Sequence, residues 1–163
     1  HEKVIIRERP LDIRGDLVSM NVIIEDDILN TDGDIYLMTH TTNPLLTRKT
    51  IAKAIKLYKS LLNTGEADSL FSVNKIQTRF YDKEARPINH DPDNLLRTQD
   101  LEPYFEENSN FYFFTRDSFS KTKARIGESP AMFEMELLEA IDIDNQEDWD
   151  LASLLMNKRL KDG

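Results

Sequence analysis

The stretch LTRKTIAKAIKLYKSLLNTGEADSLFSV, residues 46–73, constrains the fold more than any other part of the chain. Ile51, Ile55, Tyr58 and Leu62 fall on one face at helical spacing, lysines cover the opposite face, and Asn63 to Gly65 supply a stop. DSLFSV (68–73) then reads as a strand. Upstream the same alternation occurs. KVII (3–6) reads as a buried strand ended by RERP, and DLVSMNVIIEDDIL (16–29) as a helix with Leu17, Met20, Ile24 and Ile28 aligned. Asp16 or Ser19 would cap that helix, and DIYLMT (34–39), introduced by TDGD, is the next strand.

Strand, helix, strand, helix, strand predicts an α/β fold: a Rossmann-like, mostly parallel sheet with right-handed crossovers and flanking helices. In such sheets ligands sit outside the carboxyl ends of the strands, which directs attention to RERP and HTTNPLL (40–46). At 163 residues the chain has room for one domain, 1–163, with its own core. Cysteine is absent, so disulfides and thiolate metal sites are excluded and a cytoplasmic setting fits best. No apolar run reaches the roughly 20 residues that span a bilayer, and HEKVIIRERP lacks the form of a signal peptide. With 30 acidic against 21 basic side chains, the net charge of −9 repels phosphate polymers and argues against a nucleic-acid partner.

Beyond Val73 the pattern weakens. Residues 74–107 mix polar residues, aromatics and prolines, and read as a hairpin or loop excursion. NFYFFT (110–115) is a strong strand, MFEMEL (132–137) a weaker one, and Asn145 caps a last helix running to about Lys161.

The candidate chemistry lies in four places. In IDID (141–144) an extended strand would project Asp142 and Asp144 to one side, about 6.5 to 7 Å apart, able to share one hard cation. Equally, Asp144 and Asn145 are helix-start residues, with Gln146, Glu147 and Asp148 at the positive end of the dipole. His40 and Asn43 place an imidazole and an amide in a strand-to-helix turn, where they could contact a polar ligand or serve as turn chemistry. Arg7 and Arg9 are anion contacts or partners of surface carboxylates. Arg97, Gln99, Asn108 and Asn110 could read sugar hydroxyls or close a turn. The five glycines never cluster, so neither a dinucleotide fingerprint nor a P-loop is present, and nothing here cradles a triphosphate.

Taken in order, Arg9-Pro10 with Asp16 and Ser19, the strand running into TTNPLL, the lysine-rich helix, ADSLFSV, RTQDLEPYFEENSNFYFF and IDIDNQEDWDLA resemble the acylneuraminate cytidylyltransferases, or CMP-sialic acid synthetases. The similarity runs over essentially the whole chain. The resemblance implies a Mg²⁺-dependent transfer of CMP from CTP to sialic acid or a related nonulosonic acid, with release of pyrophosphate, by a homodimer.

Carried over by position, Asp142 and Asp144 would hold the metal, and Arg9 would contact the cytidine side with the backbone near Val18. Gln99, Asn108 and Tyr112 would face the sugar acid. His40 and Asn43 fall where the family contacts the nucleotide, but His40 stands where the family commonly has glutamine. Arg97 is displaced by one residue from the arginine expected on the substrate carboxylate. The excursion 74–107 would carry the dimer contacts. The family opens with a strand and a basic, glycine-containing phosphate loop that this chain starts after, so the expectation is an N-terminally incomplete piece, inactive alone. Two alternatives stand beside the enzyme: a non-catalytic sugar-nucleotide binding or oligomerisation module of the same fold, and a DxD glycosyltransferase.

Overall fold

A computed structural model describes residues 2–162. In chain order the elements are α1 (Met20–Leu29), β1 (Ile35–Thr39), α2 (Arg48–Thr64), β2 (Ser69–Ile76), β3 (Tyr104–Thr115), α3 (Arg116–Thr122), β4 (Pro130–Glu134) and α4 (Gln146–Asp162). Local chemistry sets the helix ends. Ser19 accepts from the Asn21 N–H at the start of α1, Thr47 from the Thr50 N–H at the start of α2, and Thr115 with Ser118 forms a reciprocal capping box on α3. Gly65 closes α2 at φ 72°, a left-handed conformation that side chains resist, and the Glu66 N–H returns to the Leu61 carbonyl at 2.9 Å.

The strands form one sheet in the order β1-β3-β2-β4. β1, β2 and β4 run the same way; β3 lies between β1 and β2, antiparallel to both. The α/β class expected from the alternation is therefore present, but the sheet is mixed rather than mostly parallel: two of its three strand pairs are antiparallel, and β1 and β2 are not adjacent. The reason lies in NFYFF. Phe111 and Phe113 pack with Tyr58, Ala54 and Leu70 on the α2 side, whereas Tyr112 and Phe114 pack with Ile24, Ile28 and Phe119 on the side of α1 and α3. A strand apolar on both faces belongs at the centre of a sheet covered by helices. Each such ring, fully buried, contributes about 1.5–3 kcal/mol.

Two expected elements are corrected. Residues 3–6 form no strand: Ile6 is 92% exposed, and no described strand pairs with them. Periodicity identified a strand-like run, but a strand also needs a neighbour for its N–H and C=O groups. Of the aligned residues of α1, Ile24 and Ile28 are buried, with Ile23 beside them, but the helix begins at Met20 and leaves Leu17 outside it, fully exposed.

The excursion is a hairpin. β2 and β3 continue as an antiparallel ribbon to Ile76↔Tyr104, and beyond it Tyr81 bridges Pro87. The tip is held by Asp82, whose carboxylate accepts from the backbone N–H groups of Glu84 and Arg86 at 3.0 and 2.9 Å. Among the described residues, no helix is long and apolar enough to cross a membrane.

Candidate functional site

The ladder between β2 and β3 breaks where the site begins. Phe71 pairs with Tyr112 and Val73 with Glu107, so residues 108–111 of β3 stand opposite Ser72 alone. Ser72 anchors the bulge: its hydroxyl accepts from the Phe111 N–H at 3.0 Å and lies 3.3 Å from the Phe111 carbonyl. Ser109 takes φ 56°, an uncommon conformation for a non-glycine residue. Bulges of this kind re-aim side chains. Here they turn Asn108 and Ser109 into a cleft of about 260 Å³ lined also by Asn74, Glu106, Glu107, Ala140, Asp142 and Asp144.

Within this cleft Asn108 is nearly buried and donates to Asn74 Oδ1 at 2.8 Å, while Asn74 donates to the Glu106 carboxylate at 3.0 Å. Asn110, fully buried, donates to the carbonyls of Asn108 and Ala140, both at 3.2 Å. That second bond ties the bulge to the segment carrying the aspartates.

Asp142 and Asp144 do line one cleft, but not as neighbours on a strand. Residues 140–145 are irregular. Their backbone is satisfied by loops instead of a ladder: the Ile143 N–H donates to the Thr42 carbonyl at 2.9 Å, and the Asp144 and Asn145 N–H groups donate to the Asp148 carboxylate, each at 3.1 Å. In return Asn145 Oδ1 accepts from the Glu147 and Asp148 N–H groups at 2.9 and 3.1 Å. The helix-start reading is thus realised in Asn145 and Asp148. It leaves the carboxylates of Asp142 and Asp144 for the cleft.

The 40–43 turn reaches the same segment. Asn43 is buried and donates to the Ile141 carbonyl at 3.4 Å, adjoining the Thr42–Ile143 bond. Buried polar atoms without a partner gather here: His40 Nε2, Asn43 Oδ1, Asn110 Oδ1 and Asp142 Oδ1. Buried polar groups are almost always paired, so these atoms are open to a ligand or to water.

Other predicted residues fall elsewhere. Arg97 is exposed on the excursion and paired with Asp100 at 2.7 Å, and Gln99 is also exposed there. Arg9 lines a separate small cleft with Arg7, Asp26 and Asp27, and Arg7 bridges both aspartates.

Tyr112 does not line the carboxylate cleft; it is fully buried. Its hydroxyl donates to the Glu107 carboxylate and lies 3.2 Å from Ser109 Oγ. Burial, reinforced by the Glu107 hydrogen bond, pushes its phenol up to about 12. The Arg125 guanidinium lies 3.8 Å from the Tyr112 ring centre and 3.2 Å from the Glu107 carboxylate. Sequence reasoning missed Asn74, Glu106, Glu107, Ser109 and Arg125. Five polar residues, EENSN, interrupting an otherwise apolar central strand were the available signal for Glu106, Glu107 and Ser109; Arg125 had none.

The fold and cleft define a single-sheet α/β domain with helices on both faces and its polar site at a bulge in the central strand. No family profile and no curated protein sequence matches the chain. Among solved structures it is similar to 4-diphosphocytidyl-2C-methyl-D-erythritol synthase from Anaerococcus prevotii, with a TM-score of 0.55 and 10% identity over 85% of this chain and 67% of that one. The likeness is one of fold.

Proposed function

We propose that the protein is a cytidylyltransferase that joins CMP from CTP to sialic acid or a related nonulosonic acid and releases pyrophosphate. The observation that carries this reading is the convergence of Asp142, Asp144, Asn108 and Asn74 on one cleft. The 40–43 turn is bonded to the same aspartate-bearing segment. The fold of a synthase named for a diphosphocytidyl product supports it.

The donor set suits Mg²⁺. Among the described residues no three His, Cys, Asp or Glu side chains stand close enough to enclose an ion by themselves. Magnesium, however, takes one or two carboxylates and completes its shell with water and phosphate oxygens. Asp142 offers a buried oxygen without a partner, and Asp144 lines the cleft beside it. Held there by Asp142 and Asp144, Mg²⁺ would supply charge neutralisation for the triphosphate.

The chain's own residues position the reactants. Asn74 and Asn108 present amides to sugar hydroxyls, and His40 and Asn43 offer polar groups to the nucleotide. The anomeric hydroxyl of the sugar acid then attacks the α-phosphorus; the new O–P bond forms as the bond to the bridging oxygen breaks, the hydroxyl proton passes to solvent, and pyrophosphate leaves.

In full-length protein, Asp142→Ala and Asp144→Ala should each lower pyrophosphate release from CTP plus sialic acid by roughly a hundredfold or more. Wild-type-like turnover in both variants refutes the metal assignment.

The non-catalytic module keeps one observation in its favour: no Lys or Arg is among the residues that line the carboxylate cleft. Calorimetry separates the readings, because the enzyme binds CTP more tightly with Mg²⁺ and the module binds a sugar nucleotide indifferently to it. The protein is also proposed to form a homodimer through the excursion, which exposes Tyr81, Ile88, Leu95, Leu96, Tyr104 and Phe105.

A further inference from the structure

Two clefts meet at Glu107. One is the carboxylate cleft; the other, also about 260 Å³, is lined by Ser19, Met20, Asn21, Ala124, Arg125 and Ile126 together with Glu107. Among the residues lining the pair, four are carboxylates (Glu106, Glu107, Asp142 and Asp144) and one is a cation, Arg125. A sugar acid brings a carboxylate of its own into this field. With Asp142 and Asp144 assigned to Mg²⁺ and the triphosphate, Glu106 and Glu107 repel that group, and among the side chains lining the pair only Arg125 attracts it.

Arg125 is built to receive it. Its guanidinium lies over the Tyr112 ring at 3.8 Å, and one nitrogen donates to Glu107 at 3.2 Å. Another meets only the Met38 sulfur, at 3.7 Å, a weak acceptor. A guanidinium has five N–H donors, so those spent on Glu107 and Met38 leave several for an incoming carboxylate. The stacked ring and Glu107 keep the plane oriented, which lowers the entropy lost on binding. Asn21 Oδ1 accepts from the Arg125 N–H at 3.3 Å and fixes the backbone beneath it. Arg97 is less suited, being exposed on the excursion and already engaged by Asp100 through two nitrogens.

We infer that Arg125 is the specificity residue for the substrate's carboxylate, with Tyr112 and Glu107 as its positioning residues. The sugar acid then lies with its charged end at Arg125 and its hydroxyls toward Asn108 and Asn74. The inference rests on the cytidylyltransferase reading and adds the residue that selects an acid over a neutral sugar.

The test compares wild-type, Arg125→Met, Arg125→Lys and Arg97→Ala in full-length protein. Pyrophosphate release is followed with sialic acid varied and then with its methyl ester, and binding of sialic acid alone is followed by saturation-transfer NMR. In Arg125→Met the KM for sialic acid should rise roughly tenfold to a hundredfold, with Lys recovering part of the loss. The kcat and the KM for CTP should stay within about twofold, as expected for removal of uniform substrate binding. With the methyl ester, wild-type and variant should converge. An unchanged KM for sialic acid, or a loss carried entirely by Arg97→Ala, overturns the inference. If wild-type releases no pyrophosphate, the function reading fails and NMR still decides this one: binding lost in Arg125→Met upholds it, and binding equal in both or absent from wild-type overturns it.

Discussion

Gly127→Ala offers a sharp test of how the sheet is joined to the turn before β4. A Cβ at Gly127 would sit 2.2 Å from Asp68 Oδ1 and 2.5 Å from Asp68 Cγ, far inside contact distance. The backbone raises no objection, since among the described glycines only Gly15 and Gly65 have positive φ. The cost therefore comes from what Asp68 must release. Its carboxylate accepts from the Glu128 N–H at 2.9 Å and the Ser129 N–H at 3.1 Å, and it meets Ser69 Oγ at 3.1 Å.

The two backbone donors are exposed, so water replaces the carboxylate and each bond is worth about 1 kcal/mol net. Against this, alanine restricts the unfolded chain and returns about 0.4–1 kcal/mol. The net expectation is a loss of about 1–2 kcal/mol, read as a lower urea midpoint by circular dichroism. Asp68→Ala removes the obstacle. In that background Gly127→Ala should be neutral or stabilising by about 0.5 kcal/mol, giving a coupling of about 2 kcal/mol between the two sites. An equal penalty in both backgrounds would refute the steric argument.

Two other expectations concern pH and assembly. Tyr58 and Tyr112 both have phenols pushed from 10.0 up to about 12, chiefly by burial, with nearby Asp68 adding to the shift at Tyr58 and the Glu107 hydrogen bond at Tyr112. A raised folded-state pKa contributes stability that is complete below pH 10 and lost as pH climbs toward 12. The urea midpoint should fall across that interval, less steeply in Tyr58→Phe and Tyr112→Phe; a midpoint flat in wild-type would contradict the burial argument. For the dimer, sedimentation at micromolar concentration should give twice the monomer mass, and Ile88→Glu with Leu95→Glu should reduce it to monomer. A monomeric wild-type profile removes the excursion as an interface.

Local patterns carried much of this architecture. The helix around Tyr58, its glycine stop, the strands at 35–39 and 69–76, and the cap at Asn145 depend on neighbours a few residues away, so they were legible in sequence. The run at 3–6 had the same local appearance and forms no strand, because a strand requires a partner that periodicity does not specify. The DID motif shows the same limit. Its two carboxylates were legible as candidates, but its conformation depends on Thr42 and Asp148 taking the backbone N–H groups a ladder would have used.

By itself, then, the sequence determined the α/β class, the boundaries of α1, α2 and α4 to within a few residues, and the excursion; it left α3 unread and offered the carboxylates at 142 and 144 as candidates. Tertiary structure alone decided that β3 enters the sheet between β1 and β2, that the bulge at 108–111 faces those carboxylates, and that Arg125 lies over Tyr112 beside Glu107. The physical reason is range. Capping and amphipathic spacing act within a few residues along the chain, whereas the cleft is assembled from segments tens of residues apart, brought together by burial of both faces of one strand.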